Sequence, residues 1–330
     1  MNYILVKTDY KKVSPELTPA RLNHNFAQQW RWSSFGNYYI HKLSDHTTHP
    51  VAPPTRPASI AYATWSPTGE SIAFVSGNDL YVLPSAESVY VLPFSYKSDV
   101  GPACLSASAV PIRVTNEGNS SLFFGVPDWV YEEEVFSSPS ALWWSPDAHR
   151  IAFLRSDETK VNDYTFPIYN PTDDSSTVTP YTDFVTMKYP KPGYSNPLVS
   201  VHVFDLHGYQ TQGTVPVGAP AAFIQELTWS NRRALEDSII QEIAWVANAT
   251  LLVKEVSRAA DDGSVVICNL AEQAAGQLAS GTIVRKLGVH GEEGDEGWID
   301  AVSPAGGLIK RIFHLILFIS RRTSTACPNL

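Results

Sequence analysis

The chain has 330 residues, a length that fits one large domain or two ordinary ones. Apolar residues make up 44%, which excludes wholesale disorder, and the formal net charge of −9 argues against a nucleic-acid partner, which needs a basic face. The three cysteines, Cys104, Cys268 and Cys327, are an odd and sparse set with neither a disulfide framework nor a zinc spacing.

From the start, Met1 to Tyr10 lacks the basic flank and long apolar core of a signal peptide. Nine Trp and 12% aromatics favour strands over a helical bundle. Ser71 to Ser76, the turn Gly77-Asn78-Asp79 and Leu80 to Leu83 read as a hairpin. Arg150 to Arg155 repeats its first half, and Leu198 to Asp205 alternates over its whole length. Thr250 to Val256 and Ser264 to Cys268 form a further pair around Asp261-Asp262-Gly263, and a short helical stretch is expected near Ala234 to Ile243. Leu308 to Ile319 is apolar but only about a dozen residues long, too short to span a bilayer.

A weak repeat overlies this pattern. Trp65-Ser66-Pro67 followed by Ile72-Ala73-Phe74 matches Trp144-Ser145-Pro146 followed by Ile151-Ala152-Phe153. Trp245 followed by Leu251-Leu252-Val253 is a looser third copy. Trp, tight turn and buried strand in that order predict propeller blades; a β-sandwich with incidental Trp-Ser-Pro turns is the alternative.

The chemistry concentrates in Asp128-Trp129-Val130-Tyr131-Glu132-Glu133-Glu134-Val135-Phe136. Three consecutive carboxylates among aromatic residues repel one another, and partial burial sharpens the repulsion, so a cation is expected to meet them. A solvated helix face is the plain alternative. The nine His show no metal spacing and read as surface or turn residues, so no metal and no cofactor is expected.

Asp128 to Val135 resembles the propeller motif of the dipeptidyl peptidase IV family of serine peptidases. Ser140 to Asp147, Lys188-Tyr189-Pro190-Lys191-Pro192-Gly193, Asn196-Pro197 and Gln29-Trp30-Arg31 resemble further family segments in the same order, with Pro192 in place of Ala and Trp32 in place of His. Phe35-Gly36-Asn37-Tyr38-Tyr39-Ile40 is similar to fungal, membrane-anchored members. The resemblance implies an all-β fold, the N-terminal blades of an eight-bladed propeller, over residues 1–300. It implies an enzyme that releases N-terminal dipeptides with Pro or Ala second. By position, Glu133 and Glu134 would hold the α-ammonium of a peptide N-terminus, and Arg31 the carbonyl of its first residue. Arg31 stacked on the indole of Trp30 or Trp32 is the alternative. Glu132 is expected to point away and fix the short helix. The family also implies homodimers and a type II anchor in the vacuolar or plasma membrane. The sequons at Asn119 and Asn248 agree with a secretory route.

The departures shape the remaining expectations. No Gly-x-Ser-x-Gly occurs, so no catalytic residue is assigned, the hydrolase domain is expected to be absent and the chain to be inactive alone. Residues 13–28 and about 88–108 read as non-family insertions, either retained introns or tolerated loops, and 301–330 as a non-family tail. A non-catalytic binding subunit and a WD-repeat-like scaffold remain open. The latter predicts blades of about 40–45 residues, and the repeated Trp lie further apart than that.

Overall fold

The computed structural model describes residues 3–8, 30–86, 111–171, 176–211, 220–271, 279–291 and 298–299. The expected insertions at 13–28 and 88–108 and the tail at 301–330 lie outside them. Strands dominate and stack as successive antiparallel blades, so the chain forms the expected all-β partial propeller.

The first blade is β1 (Tyr3–Thr8), β2 (Asn37–Lys42) and β3 (Thr48–Pro50), with β2 in the middle. The second is β4 (Ile60–Trp65), β5 (Ile72–Ser76), β6 (Asp79–Leu83) and β7 (Ile112–Arg113). The expected hairpin is β5–β6, turned by Gly77 (φ 60°) and Asn78 (φ 63°), two left-handed residues that match the twist of the strands.

The third blade has a split inner strand. β8 (Leu122–Phe124) and β9 (Leu142–Trp144) both pair with β10 (Arg150–Asp157), β8 opposite its end and β9 opposite its start. Everything from Gly125 to Ala141 is therefore an excursion from one strand position. A two-stranded hairpin, β11 (Asp163–Ile168) and β12 (Asp183–Lys188), follows outside the blade sheets. β13 (Leu198–Asp205) then pairs with β10 along the whole expected span. β14 (Ile224–Trp229) pairs antiparallel with β13 through Ile224 to Glu226 and parallel with the fourth blade through Leu227 to Trp229.

That fourth blade is β15 (Ser238–Ala247), β16 (Thr250–Ser257), β17 (Asp262–Asn269) and β18 (Ala279–Gly288). The helix expected near Ala234 to Ile243 is corrected here. Only Leu235–Asp237 forms a 3-10 turn, and the remainder is β15. The β-branched pair Ile239-Ile240 and alternating burial favour the extended chain.

Period-two alternation assigns each strand's side chains to two inter-blade cores. Ile72 and Phe74 pack toward the first blade with Tyr38 and Ile40. Ala73 and Val75 pack with Ile151 and Phe153 of the third. Ala152 and Leu154 pack with Ile243, Leu251 and Val253 of the fourth. Burial on both faces explains the unbroken apolar runs in these strands. The three repeated Trp sit one in each core: Trp65 in the first, Trp144 in the second, Trp245 in the third.

The turns after the first two Trp have the same wiring. Ser66 N–H donates to Ser71 O at 2.8 Å, and Ser145 N–H to Arg150 O at 2.9 Å. Each Ser Oγ accepts the N–H of the residue five places on, at 3.1 and 2.9 Å. Gly69 (φ 76°) and Ala148 (φ 59°) occupy the same left-handed position. A Cβ at Gly69 meets nothing within 4 Å, so backbone strain alone opposes a side chain there. Gly69→Ala is expected to lower the unfolding free energy by about 1 kcal/mol in a urea titration; an unchanged midpoint would contradict this.

The acidic turn as candidate functional site

β8 ends at Phe124, and Gly125 (φ 77°) turns the chain off the sheet. A Cβ here would crowd Val75 Cγ2 at 3.3 Å and Leu142 Cδ2 at 3.4 Å, so glycine is required for both conformation and space. The neck closes on Leu154. Gly125 N–H donates to Leu154 O, Leu154 N–H to Ala141 O and Ala141 N–H to Gly125 O, each at 3.0 Å.

Asp128 is buried inside the neck. Its Oδ1 accepts Ser156 Oγ–H at 3.0 Å, its Oδ2 accepts Val130 N–H at 3.1 Å, and its carbonyl accepts Glu132 N–H at 2.9 Å. Burial pushes its carboxyl from an ordinary 3.8 up to about 6, against the lowering effect of the Ser156 and Val130 bonds.

Residues Tyr131–Phe136 then form one π-helical turn, which ends at left-handed Ser137 (φ 49°). Single π-turns of this kind concentrate at functional sites. Its three carboxylates lie in the first turn, where the helix dipole favours negative charge. Tyr131 is fully buried and its Oη accepts Ile240 N–H at 3.1 Å, which fastens the turn to edge strand β15. Phe136 packs on Tyr131 and edge-on to Trp143, with ring centroids 5.5 and 5.6 Å apart. Trp129 meets Tyr189 at 4.5 Å, so the Asp128 motif and the Lys188 to Gly193 segment are neighbours in space.

The three glutamates face three environments. Glu132 is fully buried, the Glu133 side chain is 11% exposed and Glu134 is exposed. The loop bearing Arg31 docks onto the first two. Arg31 N–H donates to Glu133 Oε1 at 2.8 Å, and Arg31 Nε pairs with Glu133 Oε2 at 3.1 Å. Trp32 and Ser33 N–H both donate to Glu132 Oε1, at 2.7 and 2.9 Å. Three successive backbone N–H groups thus face two carboxylates, an anion-holding nest. Glu132 corrects the expectation that it points away: it turns inward, because the Trp32 and Ser33 amides repay part of its loss of water. Burial still raises its pKa above the ordinary value, with the Glu133 charge adding to the effect. The Arg31 side chain is 71% exposed.

The structure therefore pairs Arg31 with Glu133, leaves Glu134 exposed next to Glu133 in the chain, makes Asp128, the first residue of the motif, the buried foundation, and adds Ser33, which the sequence pattern did not mark. Asn119 and Asn248 are both exposed, Asn119 in an isolated bridge to Leu122 and Asn248 in the turn between β15 and β16. His202 departs from the surface expectation. It sits within β13, stacked on Phe153 at 5.5 Å, and burial pulls its pKa down to about 4. Among the described residues no group of His, Cys, Asp or Glu could hold a metal ion, and no helix is long and apolar enough to cross a membrane.

The family model "Dipeptidyl peptidase IV (DPP IV) N-terminal region" matches residues 14–98 and 103–324. The chain belongs to the dipeptidyl peptidase IV family. A Neosartorya fischeri protein named probable dipeptidyl peptidase 4 is 32% identical over 290 residues, which is 87% of this chain and 31% of that protein. A Tuber melanosporum protein named probable dipeptidyl-aminopeptidase B is 31% identical over 294 residues, 87% of this chain and 28% of that one. The chain thus spans about a third of the length of these relatives. The crystal structure of Porphyromonas gingivalis dipeptidyl peptidase 4 shares its fold, with a TM-score of 0.62 at 21% identity, covering 91% of this chain and 32% of that one.

Two predictions follow from the foundation of this site. Tyr131→Phe strands the Ile240 N–H and is expected to destabilise the chain by about 1–3 kcal/mol in chemical unfolding; a loss under 0.5 kcal/mol would show that water replaces the phenol. The Asp128 carboxyl is raised in the folded state, so its contribution is complete below 3.8 and is lost as pH rises through about 6. Between pH 4 and 7 the wild type should therefore lose on the order of 3 kcal/mol relative to Asp128→Asn. A stability difference that stays flat across that window would refute the assignment.

Proposed function

We propose that the acidic turn recognises the α-ammonium of a peptide N-terminus, as the N-terminal propeller part of a serine-type dipeptidyl aminopeptidase acting in proteolysis. The carrying observation is the pairing of Glu133 with Arg31 beside the exposed Glu134 on one turn. An ammonium has three N–H donors, and each carboxylate oxygen keeps a free lone pair for a charge-assisted bond. Glu133 and Glu134 accept from the ammonium, and Arg31, fixed by Glu133, faces the first carbonyl of the peptide. Three carboxylates against one guanidinium leave the turn with an excess of negative charge, which a monovalent cation relieves. A wall that seals the N-terminal end of a peptide also counts residues, the property that dipeptide release from X-Pro or X-Ala peptides requires.

Cleavage itself needs a nucleophile. The sequence contains no Gly-x-Ser-x-Gly, which favours a second reading for this chain taken alone, a non-catalytic peptide-binding part. Both readings share the ammonium site, and release of a chromogenic group from a Gly-Pro substrate separates them. The exposed sequons at Asn119 and Asn248 are compatible with a glycosylated, secretory-route protein.

Calorimetric titration of the chain with Ala-Pro and with N-acetyl-Ala-Pro tests the shared site. The free dipeptide should bind and the acetylated one should not. Glu133→Gln and Glu134→Gln should each weaken binding about 10- to 100-fold, the range for hydrogen bonds to charged groups. Equal affinity for the two peptides would sink the proposal.

A further inference from the structure

Arg31 alone is a poor anchor. Its side chain is 71% exposed, and an exposed ion pair contributes only about 0–1 kcal/mol against the rotamer entropy of a long side chain. Its backbone is held differently. Glu132 Oε1 takes both the Trp32 and the Ser33 N–H, at 2.7 and 2.9 Å, from a side chain with no solvent exposure. Trp30 N–H donates to Ser33 Oγ at 3.1 Å and completes the loop. The second oxygen of Glu132, Oε2, is buried without a hydrogen-bond partner among the described residues. A carboxylate fully withdrawn from water with half its acceptors unused is costly to keep for packing alone.

We infer that Glu132 is the positioning residue of the ammonium site: it clamps the Trp32 and Ser33 amides, and so holds Arg31 against Glu133. It touches no ligand. The carboxylate acts by holding the backbone on either side of one bond path, from Glu132 through Trp32 to Arg31 and on to Glu133. The inference rests on the peptide-ammonium reading for its consequence, while the clamp itself is independent of any ligand.

The test has two arms, both on the full chain. Hydrogen exchange of the Trp32 and Ser33 amides reads the clamp directly. Glu132→Ala should speed their exchange about tenfold or more, whereas Glu132→Gln, which keeps one acceptor oxygen, should stay within about threefold of wild type. Ala-Pro titration reads the consequence. Arg31→Ala should weaken binding about tenfold in the wild-type background and less than about twofold when added to Glu132→Ala, since the two act through one path. Unchanged exchange in Glu132→Ala, or the same factor for Arg31→Ala in both backgrounds, would overturn the inference. If the wild type binds no dipeptide, the ammonium reading fails, and the exchange arm alone decides whether the clamp stands.

Discussion

The peptide unit of Leu154 carries the site. Its carbonyl and N–H close the neck of the excursion between Gly125 and Ala141, while its side chain lies in the core shared by the third and fourth blades. A strand buried on both faces has almost no freedom to shift, because any displacement opens two packed interfaces. The acidic turn therefore hangs from one of the stiffest points available. Asp128, Tyr131 and the Arg31 loop each add a further tie from a different part of the chain: Ser156 on β10, Ile240 on β15 and residues 31–33.

Like charges on adjacent residues are tolerated here because each meets a different environment. Glu132 is neutralised in effect by main-chain N–H groups and Glu133 by a guanidinium, while Glu134 stays in water. The repulsion that three neighbouring carboxylates imply is reduced before any ligand arrives. Glu133 and Glu134 keep acceptor capacity, and Glu134 is exposed.

Much of this was legible in the residues. The Trp-turn-strand repeat predicts the blade order, and Trp65, Trp144 and Trp245 each reach an inter-blade core. The hairpin at Gly77-Asn78 and the span of β13 follow from turn chemistry and alternation. The inward turn of Glu132 was not legible, because its partners are backbone amides, which every residue type carries. The split inner strand was equally hidden: β8 and β9 are short, and only pairing with a common neighbour makes them one. Ala234 to Ile243 misled because its apolar spacing suits a helix, whereas pairing with β16 takes Ser238 onward into a sheet.

β14 has a consequence of its own. Its first half belongs to the third blade and its second half, through Leu227 to Trp229, to the fourth. These two blades share a backbone ladder, the arrangement that couples opening of one to opening of the other, whereas each of the first two blades has a hydrogen-bonded sheet of its own and meets its neighbours mainly through side chains. The acidic turn rides on this linked pair, and the Arg31 loop leads into the first blade. Residues 31–33 thus tie the chain that enters the first blade to carboxylates carried by the third, a link made by side chains and amides rather than by a shared sheet.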